Sequence, residues 1–484
     1  MISLIKNELT KIFKKKAIYI TLAITLIFVI AINFIYKMQQ NSVSFDSASQ
    51  IEFYEEQLAQ INPEDKKDLE SYLVCKTELD IAKLVQSYGG SNSWQAQVIE
   101  DKLRLLITQM NYQKYDAKNE TEYQNIKNQY EQIKQKLDKN DWNYFAKEQL
   151  EEVKNNLEEK KELKKLAISQ MELKEIEQQI YQLEIQKQVI DWRLEKNIPY
   201  GKDYKNTCLM NYQSAKLAIR EYETSQEQDD YQAKQQYYSQ LERAAISQYD
   251  IEHGTDSGNT SNARGILLSV FSQFEIFIIV MIIMIAGSIV SEEFSRGTVK
   301  LLLIKPYKRT TILASKLITC FMMLIIVMVI VVIMQFVVGG LIQGFEGFST
   351  KVVVYNHNNS QIQEIGIANY LGMQLLGKLP IYMLLMTLAF CISTIFTNSA
   401  LAITITLLGY MGAPFINQLG IVFNLKWLKF FVTPNWDLTQ YLFGGLPDFE
   451  GLTPIFSIAI IVAYMFIMLV PTFMLFKKKN IKNI

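Results

Sequence analysis

Residues 317–342 read LITCFMMLIIVMVIVVIMQFVVGGLI, a run without one charged side chain. About 20 predominantly apolar residues suffice for a helix to cross a hydrocarbon core roughly 30 Å thick, so this run is long enough to span a membrane. Working outward, comparable apolar runs occupy 17–36, 266–290, 379–396, 400–416 and 454–476. The fourth and fifth spans are separated only by Thr397, Asn398 and Ser399, which requires a tight helical hairpin. Buried helices of a soluble protein are the competing reading, and consecutive runs of this length disfavour it.

Averages over the whole chain conceal this division. The 484 residues carry 49 Lys and Arg against 49 Asp and Glu, with 49% hydrophobic content, values an ordinary soluble protein also shows. The block 41–262 is polar and rich in Gln, Lys, Glu and Tyr, whereas the chain from Ile266 onward alternates apolar runs with short polar punctuation. Lysine and arginine next to spans favour the cytoplasmic side. Lys6, Lys11, Lys14, Lys15 and Lys16 precede the first span; Arg296, Lys300, Lys305, Lys308, Arg309 and Lys316 lie between the second and third; Lys477, Lys478, Lys479 and Lys482 follow the sixth. Both termini are therefore expected inside and the polar block outside. A cleaved secretory signal is disfavoured at the N-terminus, because the run is long and no small-x-small site follows Tyr36.

The expected fold is an all-α membrane protein: six transmembrane helices, with an extracellular coiled-coil-like helical domain between the first and second. The domains read as follows: 1–16 an interfacial helix, 17–36 the first span, 37–265 the outer domain, 266–290 the second span, 291–316 a cytoplasmic loop and 317–342 the third span. Then come 343–378 an outer loop, 379–396 and 400–416 the fourth and fifth spans, 417–453 an outer or re-entrant segment, 454–476 the sixth span and 477–484 a cytoplasmic tail.

Within the outer domain, Leu166, Ser169, Leu173, Ile176, Ile180, Leu183, Lys187, Ile190 and Leu194 alternate spacings of three and four, a coiled-coil seam. A second seam runs through Ile126, Tyr130, Ile133 and Leu137. Residues 197–201, with Pro199, form a reversing turn, after which one helical stretch is expected over about 208–248. Gly89 and Gly90 mark another break, before a helix starting near Ser93, and 253–262 is a linker. Such an arm is either a solvated spacer or a cap, vestibule or docking site. Cys75 and Cys208 both fall in it, and spacing alone does not decide whether they pair.

Catalytic constellations are not found. His253 and His357 lie apart from each other and from any Cys, which argues against a zinc site or a Ser-His-Asp arrangement. Residues 372–379, GMQLLGKL, approach a phosphate loop but place Leu379 where the magnesium-binding hydroxyl belongs, so the chain is not expected to hydrolyse ATP. Basic residues are membrane-proximal rather than interleaved with aromatics, so no nucleic-acid partner is expected. Glu275, with Gln273 beside it, is the candidate intramembrane polar site. Its carboxylate either sits at headgroup level or needs a partner, a wet cavity or a proton. Gln335 is a weaker case of the same kind.

Residues 291–316, SEEFSRGTVKLLLIKPYKRTTILASK, combine a charged helix end, a glycine break at Gly297, a short amphipathic stretch and a proline stop at Pro306. Here the sequence resembles the permease subunits of type-2 ABC exporters. In that family the loop carries a glutamate, then Gly-Thr, a Leu-rich stretch, a proline, an arginine three residues later and a lysine leading into the next span. The matching positions are Glu293, Gly297, Thr298, Leu301, Leu302, Pro306, Arg309 and Lys316. The N-terminus, with Leu4, Ile5, Leu9, Ile12 and Phe13 at helical spacing, is similar to the family's interfacial helix. Thr433-Pro434 with 441–445, YLFGG, is similar to its outer re-entrant segment, and Trp427 and Trp436 suit an interface.

The resemblance covers 1–36 and 266–476 and implies that 291–316 is a coupling helix seated on a separate cytoplasmic ABC ATPase. It implies a second permease subunit, identical or different, membrane lipid as surroundings, and ATP and Mg bound by the ATPase rather than by this chain. Amphipathic peptides, toxins or antibiotics are the expected cargo, on the strength of an apolar, methionine-rich lining with Met281, Met284, Met383 and Met386. The alternative is a membrane-anchored sensor or scaffold whose coiled coil binds an outer partner. A secondary transporter would show paired acidic residues or broken helices near the midplane, and the sequence offers no such pair.

Overall fold

The computed structural model describes residues 1–41, 47–62, 67–225, 228–295, 297 and 307–478. The chain divides into two compact units, Met1–Lys37 with Asn259–Ile484, and Met38–Gly258. In chain order the helices are α1 (Ile2–Phe13), α2 (Lys16–Asn41), α3 (Ser47–Ala59), α4 (Leu69–Ser87), α5 (Trp94–Val98), α6 (Arg104–Tyr115), α7 (Glu120–Asp138), α8 (Trp142–Leu166), α9 (Gln170–Glu195), α10 (Tyr204–Thr224) and α11 (Tyr231–His253). They continue as α12 (Ala263–Leu268), α13 (Val270–Gln273), α14 (Glu275–Ser288), α15 (Ser291–Ser295), α16 (Arg309–Gln343), α17 (Ile367–Phe396), α18 (Ser399–Val422) and α19 (Pro454–Lys478).

The first unit is a helical membrane bundle. Among the described residues, α2, α16, α17, α18 and α19 are the five helices long and apolar enough to cross a membrane. Their exposed faces are themselves apolar, as at Leu408, Met411 and Phe415 of α18 and Phe466 and Ile467 of α19. Hydrocarbon around the helices accounts for this, since lipid tails solvate such side chains without penalty.

The expectation of one continuous helix over 266–290 is corrected. That run folds as α12, α13 and α14, with breaks at Ser269 and Phe274 where ψ rises to 12° and 17°. Ser269 Oγ donates back to the Gly265 and Ile266 carbonyls, a contact that bends helices. The second break leaves Glu275 in the first turn of α14, where the helix dipole favours a carboxylate. Gly265 is required at the entry, because a Cβ there would meet the Asn259 carbonyl oxygen at 2.2 Å. Short as it is, α14 is the innermost helix, packed on α16, α17 and α18, with Ile278, Ile283 and Ala286 fully buried.

Part of the expected outer loop 343–378 is also ordered differently. Val352–Asn356 and Gln361–Ile365 form an antiparallel β-hairpin, β1 and β2, with Val352 opposite Ile365. Gly372 to Leu379 lies inside α17, so the phosphate-loop-like string is helical.

The second unit is helical and carries two apolar clusters. Ile81, Val85, Ile99, Leu103, Leu137 and Phe145 build the first, and Val189, Leu209, Tyr212, Ala215, Ile219 and Ile251 the second. The seam expected to start at Leu166 is interrupted: α8 ends there, and Ser169 caps α9 by accepting from the Glu172 amide at 3.1 Å. The two helices form an antiparallel hairpin, with Lys164 on Glu177 at 2.8 Å and Lys161 on Glu184 at 3.5 Å. The single helix expected over 208–248 is likewise two, α10 and α11, paired through the stacked rings of Tyr222 and Tyr237. Gly89, Gly90 and the 197–201 turn fall between helices as the sequence indicates. Cys75 and Cys208 are free thiols; burial beside Asp250 pushes the Cys208 thiol up to about 12.

Candidate functional site

The end of the bundle where α2 and α16 begin and α14 and α19 finish is called basal here; the opposite end is distal. At the basal end α1 buries Leu4, Glu8 and Ile12, one residue per turn along a single stripe. A carboxylate on an apolar stripe requires a cation. Glu8 finds Lys316, whose side chain is 3% exposed in the second turn of α16. The Lys316 ammonium has three donors, and three acceptors surround it: Glu8 Oε2 at 2.8 Å, the Ile289 carbonyl at 3.0 Å and Glu293 Oε1 at 3.4 Å. The carbonyl is available because α14 has just ended, where the dipole also favours a cation.

Lys11 completes the joint, donating to Glu293 Oε1 at 2.6 Å and Glu8 Oε1 at 3.3 Å. Burial pulls Lys11 down, but its bond to Glu293 and the charge of Glu8 outweigh this and hold its pKa above the usual lysine value. Lys15 adds a second strand to the joint, donating to Ser288 Oγ and Glu292 Oε1, each at 2.8 Å. Three segments remote in sequence, α1, the α14–α15 junction and α16, thus meet on a charge cluster whose centre, Lys316 and Glu8, is buried and whose rim is open to water.

Of the residues expected to act together, Glu293 and Lys316 share this joint. Gly297 stands just beyond α15 in the left-handed conformation, φ +66°. Arg309 lies apart, donating to the Lys477 carbonyl in the last turn of α19 at 3.3 Å. Thr298, Leu301, Leu302 and Pro306 lie outside the described residues. Glu8 was missed by sequence reasoning, although a signal existed: it is the single carboxylate in residues 1–41 and lies four residues from both Leu4 and Ile12.

The distal end has a second charged cluster. Lys378 Nζ of α17 donates to Glu275 Oε2 of α14 at 3.0 Å and to Asp437 Oδ2 at 2.7 Å, and Tyr410 Oη of α18 donates to Glu275 Oε1 at 3.1 Å. Glu275 therefore has a partner, while Gln273 is exposed and takes no part. Asp437 belongs to the segment after α18, which folds as short 3-10 turns around buried Asn435, whose amide donates to the Lys429 and Phe431 carbonyls. Gln335 meets Asn33 of α2 in a buried amide pair, with Asn33 Nδ2 2.9 Å from Gln335 Oε1. Among the described residues no group of three or more His, Cys, Asp or Glu is placed to hold a metal ion.

The family described as "Protein of unknown function (DUF2705)" matches residues 233–482, just over half of the sequence. The chain belongs to this family. Two relatives come from Bacillus subtilis (strain 168). "Uncharacterized membrane protein YdbK" is 32% identical over 228 residues, 47% of this chain and 86% of the relative. "Uncharacterized protein YhcI" is 29% identical over 242 residues, 50% of this chain and 76% of the relative. No solved structure matches. The DUF2705 region contains α12 to α19, and with them Glu293 and Lys316 of the basal joint and the whole Lys378 cluster.

Proposed function

We propose that the chain is the membrane-spanning permease subunit of an ATP-driven exporter, with the basal end in the cytoplasm and the second unit outside. One observation carries the reading. The segment that resembles a coupling loop begins near Glu293 and ends at Lys316, and these two residues are held together with Glu8 in one buried ionic joint. A push on that loop from a cytoplasmic ATPase is delivered jointly to α1, α14 and α16 rather than lost in a slack connection. The broken run α12–α14 supplies the sixth crossing, its bend absorbed by the Lys378 cluster. ATP and Mg belong to the partner ATPase. The exposed apolar face of α18, with Leu408, Met411 and Phe415, suits contact with a second permease subunit. Amphipathic peptides, toxins or antibiotics remain the preferred cargo. Met281 and Met386 are packed into the core, so they support the cargo reading less than the sequence implied.

Affinity purification of the detergent-solubilised chain from its host, followed by mass spectrometry, tests the reading. Near-stoichiometric recovery of a soluble ATP-binding-cassette ATPase is expected. Its reproducible absence, with an outer protein retained on the second unit, would replace the exporter with the sensor or scaffold.

A further inference from the structure

Beside the basal joint lies an open cleft of about 630 Å³, bounded by the α1–α2 turn on one side and by Ile289, Glu292 and Glu293 on the other. Its charge is settled by pairing. The three carboxylates lining it, Glu8, Glu292 and Glu293, are engaged by Lys316, Lys15 and Lys11. Two further lysines line the same cleft, Lys14 and Lys16, and among the described residues neither has a carboxylate partner. The cleft is therefore cationic, and Ile12, Ala17 and Ile289 give it an apolar floor.

A second observation bears on what enters. Lys16, Ile20, Ile24 and Ile27 follow one another at helical spacing on α2, and the three isoleucines are 60%, 48% and 64% exposed. An apolar track thus leads from the two unpaired ammonium groups along the outside of a helix long enough to cross the membrane. A soluble phosphate has no use for such a track, whereas a phospholipid matches both halves.

We infer that this cleft is a binding site for an anionic phospholipid, its headgroup phosphate held by Lys14 and Lys16 and its acyl chains laid along Ile20, Ile24 and Ile27. Lysines at headgroup depth reach the interface while their stems cover apolar surface, and each gains from a nearby anionic lipid. The inference does not depend on the exporter reading, because it uses only the cleft lined by α1, α2, α15 and the end of α14, with Lys316 of α16, and no ATPase or cargo.

Native mass spectrometry of the full chain in detergent, titrated with phosphatidylglycerol or phosphatidylcholine of matched acyl chains, tests it. Phosphatidylglycerol adducts are expected to persist about tenfold better than phosphatidylcholine adducts. The Lys14→Gln/Lys16→Gln variant should bind phosphatidylglycerol about 30-fold more weakly. The single variants should each lose about fivefold, and Lys14→Arg/Lys16→Arg should retain the preference. Equal retention of the two lipids by the parent chain, or undiminished phosphatidylglycerol binding in the glutamine variants, would overturn the site. Displacement of the lipid by millimolar inorganic phosphate would reassign it to a soluble phosphate ligand and overturn the lipid.

Discussion

Lys316 and Lys378 sit at opposite ends of the same bundle and solve one problem in two ways. Each is a buried ammonium shared between carboxylates from different elements. At the basal end Glu8 and Glu293 are balanced by Lys316 and Lys11, and the lysine at the centre is 3% exposed. At the distal end Glu275 and Asp437 share one lysine and a tyrosine hydroxyl, and Asp437 is 32% exposed. Desolvating charge is tolerable only when every ion is neutralised and hydrogen-bonded. At the basal centre Lys316 and Glu8 meet that condition, 3% and 6% exposed, while Lys11 on the rim is 43% exposed. The distal cluster carries an extra negative charge and relies on water reaching Asp437. The more deeply buried, charge-balanced basal centre is expected to hold its helices more firmly than the distal cluster.

The largest effect is expected where the joint is driest. Lys316→Met removes the central ammonium from Glu8 and Glu293, leaving Lys11 bonded to both, and should cost about 3–5 kcal/mol in equilibrium unfolding of the detergent-solubilised chain. Adding Glu8→Gln to that variant should recover part of the loss. A cost below 1 kcal/mol would break the contrast, because the basal end would then be no more fixed than the distal. Lys378→Met should cost less, about 1–3 kcal/mol, since Asp437 regains water. Hydrogen exchange of 431–445 should rise in this variant while that of α1 stays unchanged. Faster exchange in both regions would show that the two ends are one cooperative unit.

Asn33→Leu removes the amide pair with Gln335 between α2 and α16 and should cost about 0.6–1.7 kcal/mol in the same unfolding measurement, as interhelical hydrogen bonds in membranes do. Lys15→Ala breaks a pair whose partners are 21% and 31% exposed and should cost less than about 1 kcal/mol. If it costs as much as Lys316→Met, the Lys15–Glu292 strand bears as much of the joint as its buried centre.

Five long apolar helices were legible because hydropathy is additive along the chain and the bilayer fixes a length against which to read it. The breaks in 266–290 were not, because Ser269 and Phe274 alter local hydrogen bonding without altering hydropathy. Lys378 stayed hidden for a related reason. Hydropathy places it in the loop before the fourth span, whereas α17 begins at Ile367, and only the fold brings Glu275, 103 residues away, to its ammonium. The β-hairpin did leave a trace, Val352-Val353-Val354-Tyr355 followed by Asn-His-Asn-Asn-Ser, a strand and turn pattern within reach of sequence reading. In the arm, heptad spacing identified helices but continued through 167–169, where the N-cap signal of Ser169 with Glu172 marks the turn.

The Glu8–Lys316 contact joins residues 308 positions apart. A ribosome adding about 5–20 residues per second releases the lysine roughly 15–60 s after the glutamate. Throughout that interval α1 carries an acid on its apolar stripe with Lys11 beside it, so the first helix made completes its packing only once the start of α16 has followed. The basal joint is thus a checkpoint on assembly: it closes only on a chain whose second long apolar helix is in place.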